Sequence, residues 1–283
     1  VYWKEIAAAT TATGREQLDI AKNYIEDTYP GSKIVYGDTD SVFVRFKMTD
    51  SKGSPLRGKD ALAESIRLGH EAADGISKIL RKPQDLEYEK TFMPFILLSK
   101  KRYVGNKYEE DTENYKQTSM GIVLKRRDNA TILKVIYGGV IDIILGTNNI
   151  NQSIDFLRKS LRNLIRGKYG LDKLIITKTL GDHYKMPEMI AHKVLADRIG
   201  EREPGNKPQL FDRIPYVFIQ TDEPVSLQGD RIEHPDYIKR MGLQPDYHYY
   251  VTNQIMKPIS QIYALCIEKL PNFRKGQTYF RNK

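Results

Sequence analysis

The chain has 283 residues, 40% hydrophobic and 29% charged, and its 45 Lys and Arg against 36 Asp and Glu give a formal net charge of +9. That length buries a real core in one large or two modest domains, and the basic excess favours a polyanionic partner, either nucleic acid or an acidic membrane surface. No apolar run is long enough to cross a bilayer, the first residues lack the basic-then-apolar order of a signal peptide, and one cysteine makes neither an internal disulfide nor a cysteine-rich zinc site; the chain is expected to be intracellular.

The opening stretch from Ile6 to Tyr29 is predicted helical, with Leu18, Ala21 and Ile25 on one side and Pro30-Gly31 as its stop. Strands follow at about Lys33–Gly37 and Ser41–Phe46 with a tight turn between them. Met48–Lys59 is polar and rich in Gly and Pro, a surface loop. Leu62, Ile66, Gly69, Ala73, Ile76 and Leu80 recur at alternating spacings of four and three, so a helix is expected to lay one face on a sheet and to end by Lys82-Pro83.

Leu86–Tyr108 is rich in aromatic and β-branched residues and is assigned strands of the same sheet. Beyond the acidic turn Glu109–Asn114 the character changes, and a domain change is placed near Gln117–Arg127, giving units 1–118 and 119–283. Helical stripes run through Ile132, Val135, Ile136, Val140 and Ile143, then through Ile154, Leu157, Leu161 and Leu164 after a break at Asn148-Asn149. A strand at Leu174–Ile176, a helix at Pro187–Arg202, a strand at Tyr216–Gln220 and a long helix at Tyr247–Leu270, kinked at Pro258, complete the pattern. Cys266 sits among apolar neighbours on that last helix and reads as a small buried hydrophobe. The fold class is α+β.

The most informative stretch is Tyr36-Gly37-Asp38-Thr39-Asp40-Ser41, which puts two carboxylates two residues apart at the bend between apolar runs. Residues i and i+2 of an extended chain point the same way, so both acids can face one small volume. Like charges so close raise each other's pKa unless a cation intervenes, and Mg²⁺ accepts one or two carboxylates while substrate phosphates fill its other positions. The plain alternative is a surface hairpin, because Gly and Asp are ordinary turn residues.

Further motifs stand in a fixed order: Leu86-Glu87-Tyr88-Glu89-Lys90, Ser99-Lys100-Lys101-Arg102-Tyr103, Arg126-Arg127-Asp128-Asn129, and Pro204-Gly205 followed by Asp212-Arg213-Ile214-Pro215-Tyr216. With the acidic turn, they resemble the family B DNA polymerases, which include eukaryotic replicative enzymes and those of large DNA viruses. The resemblance covers nearly the whole chain and is strongest toward the delta-type enzymes, extending to Tyr249-Tyr250-Val251 and Lys257-Pro258. It implies a partial polymerase palm, an antiparallel sheet with packed helices, followed by a mainly helical thumb. It also implies DNA-directed DNA synthesis, with primer-template DNA and deoxynucleoside triphosphates as partners and a nuclear or viral replication site as the location.

In that family the residue matching Asp40 is a direct ligand of both Mg²⁺ ions, and the residue matching Asp38 has a less direct role near them. Tyr36 and Thr39 fall where primer end and sheet meet. Lys100, Lys101, Arg102 and Tyr103 match a strand that follows the new duplex, with cations near phosphates and minor-groove edges and the Tyr supporting the primer. A second metal-binding Asp and a nucleotide-gripping helix belong to upstream motifs that have no match here, so a missing amino-terminal polymerase region is an expected partner.

Several residues keep a second reading. Lys100–Tyr103 can be a solvated strand end, although the apolar run Phe92–Leu98 anchors it. Asp128 or Asn129 can simply cap the next helix, leaving Arg126 and Arg127 to reach phosphate or to tie thumb to palm. Arg158, Lys159, Arg162, Arg166 and Lys168 add a basic face whose DNA affinity would fall steeply with salt. Glu87 and Glu89 alternate along an expected strand, and Glu87 is a weak outer-shell metal candidate beside the simpler reading of a surface ion pair. The five histidines lack metal spacing. Gly276–Phe280 has the Gln and paired aromatics of a sliding-clamp peptide, but at too short a spacing. The competing functions are a non-catalytic DNA-binding subunit of polymerase-like shape and another palm-bearing nucleotidyl transferase, such as a reverse transcriptase.

Overall fold

A computed structural model describes residues 3–221 and 227–266, and the chain divides into two compact units, Val1–Gly121 and Ile122–Lys283. The first is built on two helices and two small antiparallel sheets. Helix α1 (Lys4–Thr28) buries Ala21 and Ile25 against Ala72 and Ile76 of helix α2 (Gly58–Ile79), and Ile34, Val42 and Val44 from strands β1 (Lys33–Asp38) and β2 (Ser41–Arg45), with Phe46 just beyond β2, close that cluster. The apolar stripe of α2 continues through Leu62 and Ile66 to Tyr108 and Met93. Strands β3 (Thr91–Ser99), β4 (Arg102–Tyr108) and β5 (Lys116–Met120) pair antiparallel in that order.

The expected single sheet is therefore two, β1-β2 and β3-β4-β5. Aromatic side chains join them: Phe43 of β2 stacks on Phe92 and Phe95 of β3 at 6.2 and 5.6 Å, and Tyr103 of β4 meets Phe43 edge-on at 5.5 Å. The segment from Leu86 to Lys90 forms no strand, so the alternation of Glu87 and Glu89 reflects an extended irregular lead-in to β3, with both acids exposed. β5 is mostly polar, with Lys116, Gln117 and Met120 exposed, which is why no apolar alternation announced it.

One irregularity in the first hairpin has a large effect. Ile34 pairs with Val44 and Tyr36 with Phe43, so Val35 is an extra residue on β1. A bulge of this kind turns the strand and re-aims the side chains beyond it. Ile34 and Val44 pack toward the helices, whereas Tyr36 and Phe43 face the aromatic cluster, and Asp38, two residues past Tyr36, follows that second face.

The second unit begins with helix α3 (Thr131–Thr147), whose Ile132, Ile136, Tyr137, Val140 and Ile141 are fully buried. Asn148 ends it in the left-handed conformation with φ 50°, and the Asn149 side chain accepts the Gln152 amide at 3.0 Å to start helix α4 (Ile150–Ile165). The two helices approach where α3 has Gly139, because a Cβ there would lie 2.3 Å from the Phe156 ring. Strands β6 (Ile176–Thr179), β7 (Arg213–Phe218) and β8 (Ile232–Glu233) make a small antiparallel sheet flanked by helices α5 (Ala191–Arg202) and α6 (Pro235–Met241).

Several expected boundaries move. Leu174 is fully buried just after a 3₁₀ turn over Leu171–Lys173, so the strand starts at Ile176 and not at Leu174. A 3₁₀ turn over Pro187–Met189 precedes α5. The final helix is interrupted before Pro258: α7 (Tyr247–Tyr249) passes into a π-helical turn over Tyr250–Ile255, then α8 (Met256–Ala264). Proline has no amide to continue the ladder, and the widened turn ahead of it absorbs that defect. The Cys266 thiol lies against the Ile262 and Tyr263 carbonyls, half-buried. Gly276–Phe280 lies outside the described residues.

Tyr250 is the polar pin of this unit. Its hydroxyl donates to the Leu174 carbonyl at 2.7 Å and accepts from the Phe218 amide at 3.1 Å, and burial pushes the phenol well above its ordinary pKa. Replacing Tyr250 with Phe strands a buried donor and a buried acceptor, so urea unfolding should show a loss of about 1–3 kcal/mol with an unchanged circular dichroism spectrum. An unchanged midpoint would mean that neither bond contributes.

Candidate active site

The acidic turn is compact and conformationally strained. Asp38 pairs with Ser41 across a two-residue turn in which Thr39 has φ 55°, and the Asp40 amide reaches back to the Asp38 carbonyl at 2.6 Å, the closure of a γ-turn. The Ser41 hydroxyl donates to the same carbonyl at 3.1 Å. Left-handed φ is uncommon for a β-branched residue, and outliers of this kind gather at functional sites.

A second turn faces it. Lys100 and Lys101 connect Ser99 to Arg102 at the β3–β4 end, and Lys101 is also left-handed, with φ 58°. Its amide donates to the Tyr36 hydroxyl at 2.8 Å, and its ammonium sits 3.1 Å from an Asp38 oxygen. The Thr39 hydroxyl donates to that oxygen at 3.3 Å. The Lys101 hydrogen bond, assisted by those from Tyr36 and Thr39, holds Asp38 below its ordinary pKa despite some desolvation.

The two acids therefore differ. Asp38 is engaged by Lys101, and its side chain is only 20% exposed. Asp40 is exposed and has no side-chain ion pair among the described residues. No group of three or more His, Cys, Asp or Glu among the described residues is arranged to hold a metal ion. The donors fit a divalent ion only in part: Asp40 offers open hard oxygens of the kind Mg²⁺ takes, while Asp38 is occupied by Lys101.

The remaining candidates fall as follows. Lys100 is exposed, and Arg102 is half-buried beside it. Tyr103 is 9% exposed, its ring packed among Phe43, Phe92 and Phe95 and 6.5 Å from that of Tyr36. Glu87 is exposed outside any strand. Sequence reasoning missed Gly121: it has φ 61°, and a Cβ there would lie 2.1 Å from the Lys101 carbonyl, so only glycine lets β5 end against the basic turn. An isolated Met-Gly pair is the only local sign of it.

Arg126 and Arg127 belong to the second unit and are exposed. The expected cap is corrected: α3 starts from Ala130 without a side-chain cap. Asp128 is drawn away by charge, to the Lys178 ammonium at 2.5 Å and to Arg126 at 3.3 Å, and Asn129 donates to the Val123 carbonyl at 3.4 Å. Burial alone would raise the Asp128 pKa, but the two cations outweigh it and bring the value down to about 2. Arg158, Lys159, Arg162, Arg166 and Lys168 are all exposed.

The fold and this site define a mixed helix-and-sheet protein that sets an acidic turn against a basic hairpin. The family model for DNA polymerase family B matches residues 1–266, and the chain belongs to that family. It is 54% identical over 283 residues to the DNA polymerase of Pyramimonas orientalis virus, covering 99% of this chain and 23% of that protein. Over 241 residues it is 46% identical to the DNA polymerase of Acanthamoeba polyphaga mimivirus, and over 272 residues 32% identical to the DNA polymerase delta catalytic subunit of Caenorhabditis elegans; these matches cover 83% and 92% of this chain. The chain spans between 14% and 24% of the length of these three relatives. The structure of the family B DNA polymerase from the archaeon Pyrobaculum calidifontis shares the fold with TM-score 0.63 at 21% identity, over 92% of this chain and 30% of that one.

Two measurements test the electrostatics. Lys101→Met should raise the Asp38 pKa toward its ordinary value near 3.8, visible as a shifted carboxyl ¹³C titration; an unmoved curve would remove Lys101 as the cause. The folded-state pKa of Asp128 lies below its unfolded one, so its pairing stabilises the fold above about pH 4 and is lost as pH falls through about 2. Asp128→Asn should cost about 2 kcal/mol in urea unfolding at pH 7 and much less at pH 2. A gap that stays constant with pH would contradict this assignment.

Proposed function

We propose that this chain is the carboxy-terminal portion of a DNA-directed DNA polymerase, with the first unit as the rest of the palm and the second as the thumb. Its reaction is template-directed addition of deoxynucleotides to a primer 3′ hydroxyl. The observation that carries the reading is the docking of the Asp38–Asp40 turn onto the Lys100–Lys101 turn through Tyr36, which sets the Asp38 carboxylate 3.1 Å from the Lys101 ammonium over an aromatic base. Family membership and the names of the viral and delta-type relatives support it.

Asp40 is the group that would hold Mg²⁺, sharing it with an acid contributed from outside these 283 residues. Bound in pairs, such ions stabilise the attacking and departing oxygens of an in-line phosphoryl displacement. Asp38 acts as a positioning residue, because its charge is already engaged by Lys101 and fixes the turn from which Asp40 projects. Lys100 and Arg102 supply cations to primer-template phosphates, and Tyr103 acts from beneath as part of the base. Arg126, Arg127 and the exposed face of α4 add phosphate contacts from the thumb. Such contacts are indifferent to sequence, as a copying enzyme requires. The enzyme would work in the nucleus or at a viral replication site.

In the polymerase polypeptide carrying this sequence, Asp40→Asn should reduce primer extension by about 100- to 1,000-fold, as losing a group that stabilises transition-state charge does. Duplex binding measured by fluorescence anisotropy should change little. Retained extension would defeat the assignment of Asp40.

A further inference from the structure

Between α5 and β7 the chain makes a turn, Gln209–Asp212, that holds two large apolar side chains out of the protein. Phe211 is 68% exposed and Leu210 48%. Phe211 has φ 69°, a left-handed backbone that a bulky residue with a β-carbon rarely adopts. Four hydrogen bonds hold it there. The Phe211 amide donates to the Leu180 carbonyl at 2.9 Å, and the Leu180 amide donates to the Asp212 carbonyl at 2.8 Å. The Asp212 amide donates to the Gln209 carbonyl at 3.1 Å, and the Gln209 amide donates to the Asp212 carboxylate at 2.7 Å. Glycine would fit this backbone without strain, so the presence of phenylalanine calls for a use of its ring.

Charge around the turn suggests that use. Lys207 and Arg213 flank it, both exposed and neither in an ion pair among the described residues. The Lys207 stem lies against α5, where a Cβ on Gly200 would be 2.8 Å from its Cγ. Asp212, the acid within the turn, spends a carboxylate oxygen on the Gln209 amide. A rigid exposed aromatic ring between uncommitted cations matches the chemistry that binds single-stranded nucleic acid, where each base offers a π-face and each nucleotide a phosphate.

We propose that the Gln209–Asp212 turn is a binding site for unpaired DNA, with Phe211 stacking on a nucleobase and Lys207 and Arg213 meeting the adjoining phosphates. The inference rests on the reading of the chain as part of a DNA polymerase. It adds a site for a base outside the duplex, distinct from the acidic turn and its basic partner.

The test uses the polymerase polypeptide carrying this sequence, with single-stranded oligonucleotides bearing 5-iododeoxyuridine or 2-aminopurine. Irradiation should give an adduct on the peptide containing Phe211, and binding should quench 2-aminopurine fluorescence. Phe211→Gly should remove the adduct and weaken single-strand binding roughly 5- to 100-fold, as losing one base–aromatic stack does. The same substitution should leave the melting temperature unchanged or higher, because glycine accepts the left-handed backbone. Phe211→Trp should retain binding. Primer extension and duplex affinity serve as the separating controls. If both are normal but no adduct forms at Phe211 and Phe211→Gly binds single strands as tightly as the parent, the stacking site is overturned and the polymerase reading stands, the ring then belonging to a protein contact. If extension itself is absent, the broader reading fails first.

Discussion

The candidate site depends on one piece of packing, the aromatic cluster of Tyr36, Phe43, Phe92, Phe95 and Tyr103. The β1–β2 hairpin and the β3–β4–β5 sheet have no strand pairing with each other. Four ring contacts between 5.5 and 6.5 Å hold them together, Tyr36 to Tyr103 and Phe43 to Phe92, Phe95 and Tyr103. Such pairs add about 0.5–1.5 kcal/mol each beyond the area they bury, enough in sum to fix two hairpins against one another. The cluster alone leaves some freedom in register. The hydrogen bond from the Lys101 amide to the Tyr36 hydroxyl removes it, and the Lys101 ammonium then falls on Asp38.

This arrangement gives two chemically identical side chains different roles. Asp38 and Asp40 are two residues apart, yet one carries a lysine counter-charge and the other is open. The difference comes from the turn, because left-handed Thr39 folds the Asp40 amide back on the Asp38 carbonyl and carries the second carboxylate outward. Both facing turns store backbone strain at a non-glycine residue, Thr39 on one side and Lys101 on the other. The glycine that the geometry does require is Gly121, which lies far from either turn in sequence and against Lys101 in space.

Much of the fold was legible in the chain. The apolar stripes of α1, α2, α3 and α4 mark helices because each buries one face, although Val135, placed on the α3 stripe, is 41% exposed, and the Asn148-Asn149 break is a C-cap followed by an N-cap. The acidic turn was legible because a two-residue loop between β-branched runs has few other conformations. The errors share a cause. Asp128 suits an N-cap locally, but Lys178, 50 residues away, offers it a charge and takes it. Leu86–Lys90 has strand composition but is engaged by α2, with the Leu86 backbone bonded to the Ser77 hydroxyl and Tyr88 against Gly69 and His70. Polar β5 needs no apolar alternation, since pairing with β4 defines it.

Residue order alone therefore determined the elements, the acidic turn, the basic run and, through their motifs, the family. Those properties are set within a few residues, by periodicity, turn preference and charge. The tertiary structure decided which face the acidic turn presents and which cation it meets. The Val35 bulge rotates Tyr36 and Asp38 away from the helices and toward the aromatic cluster, and a bulge exists only relative to the partner strand across which one residue too many must fit. Lys101 lies more than 60 residues beyond Asp38 in the chain. Only the packing of the rings between them makes the two neighbours.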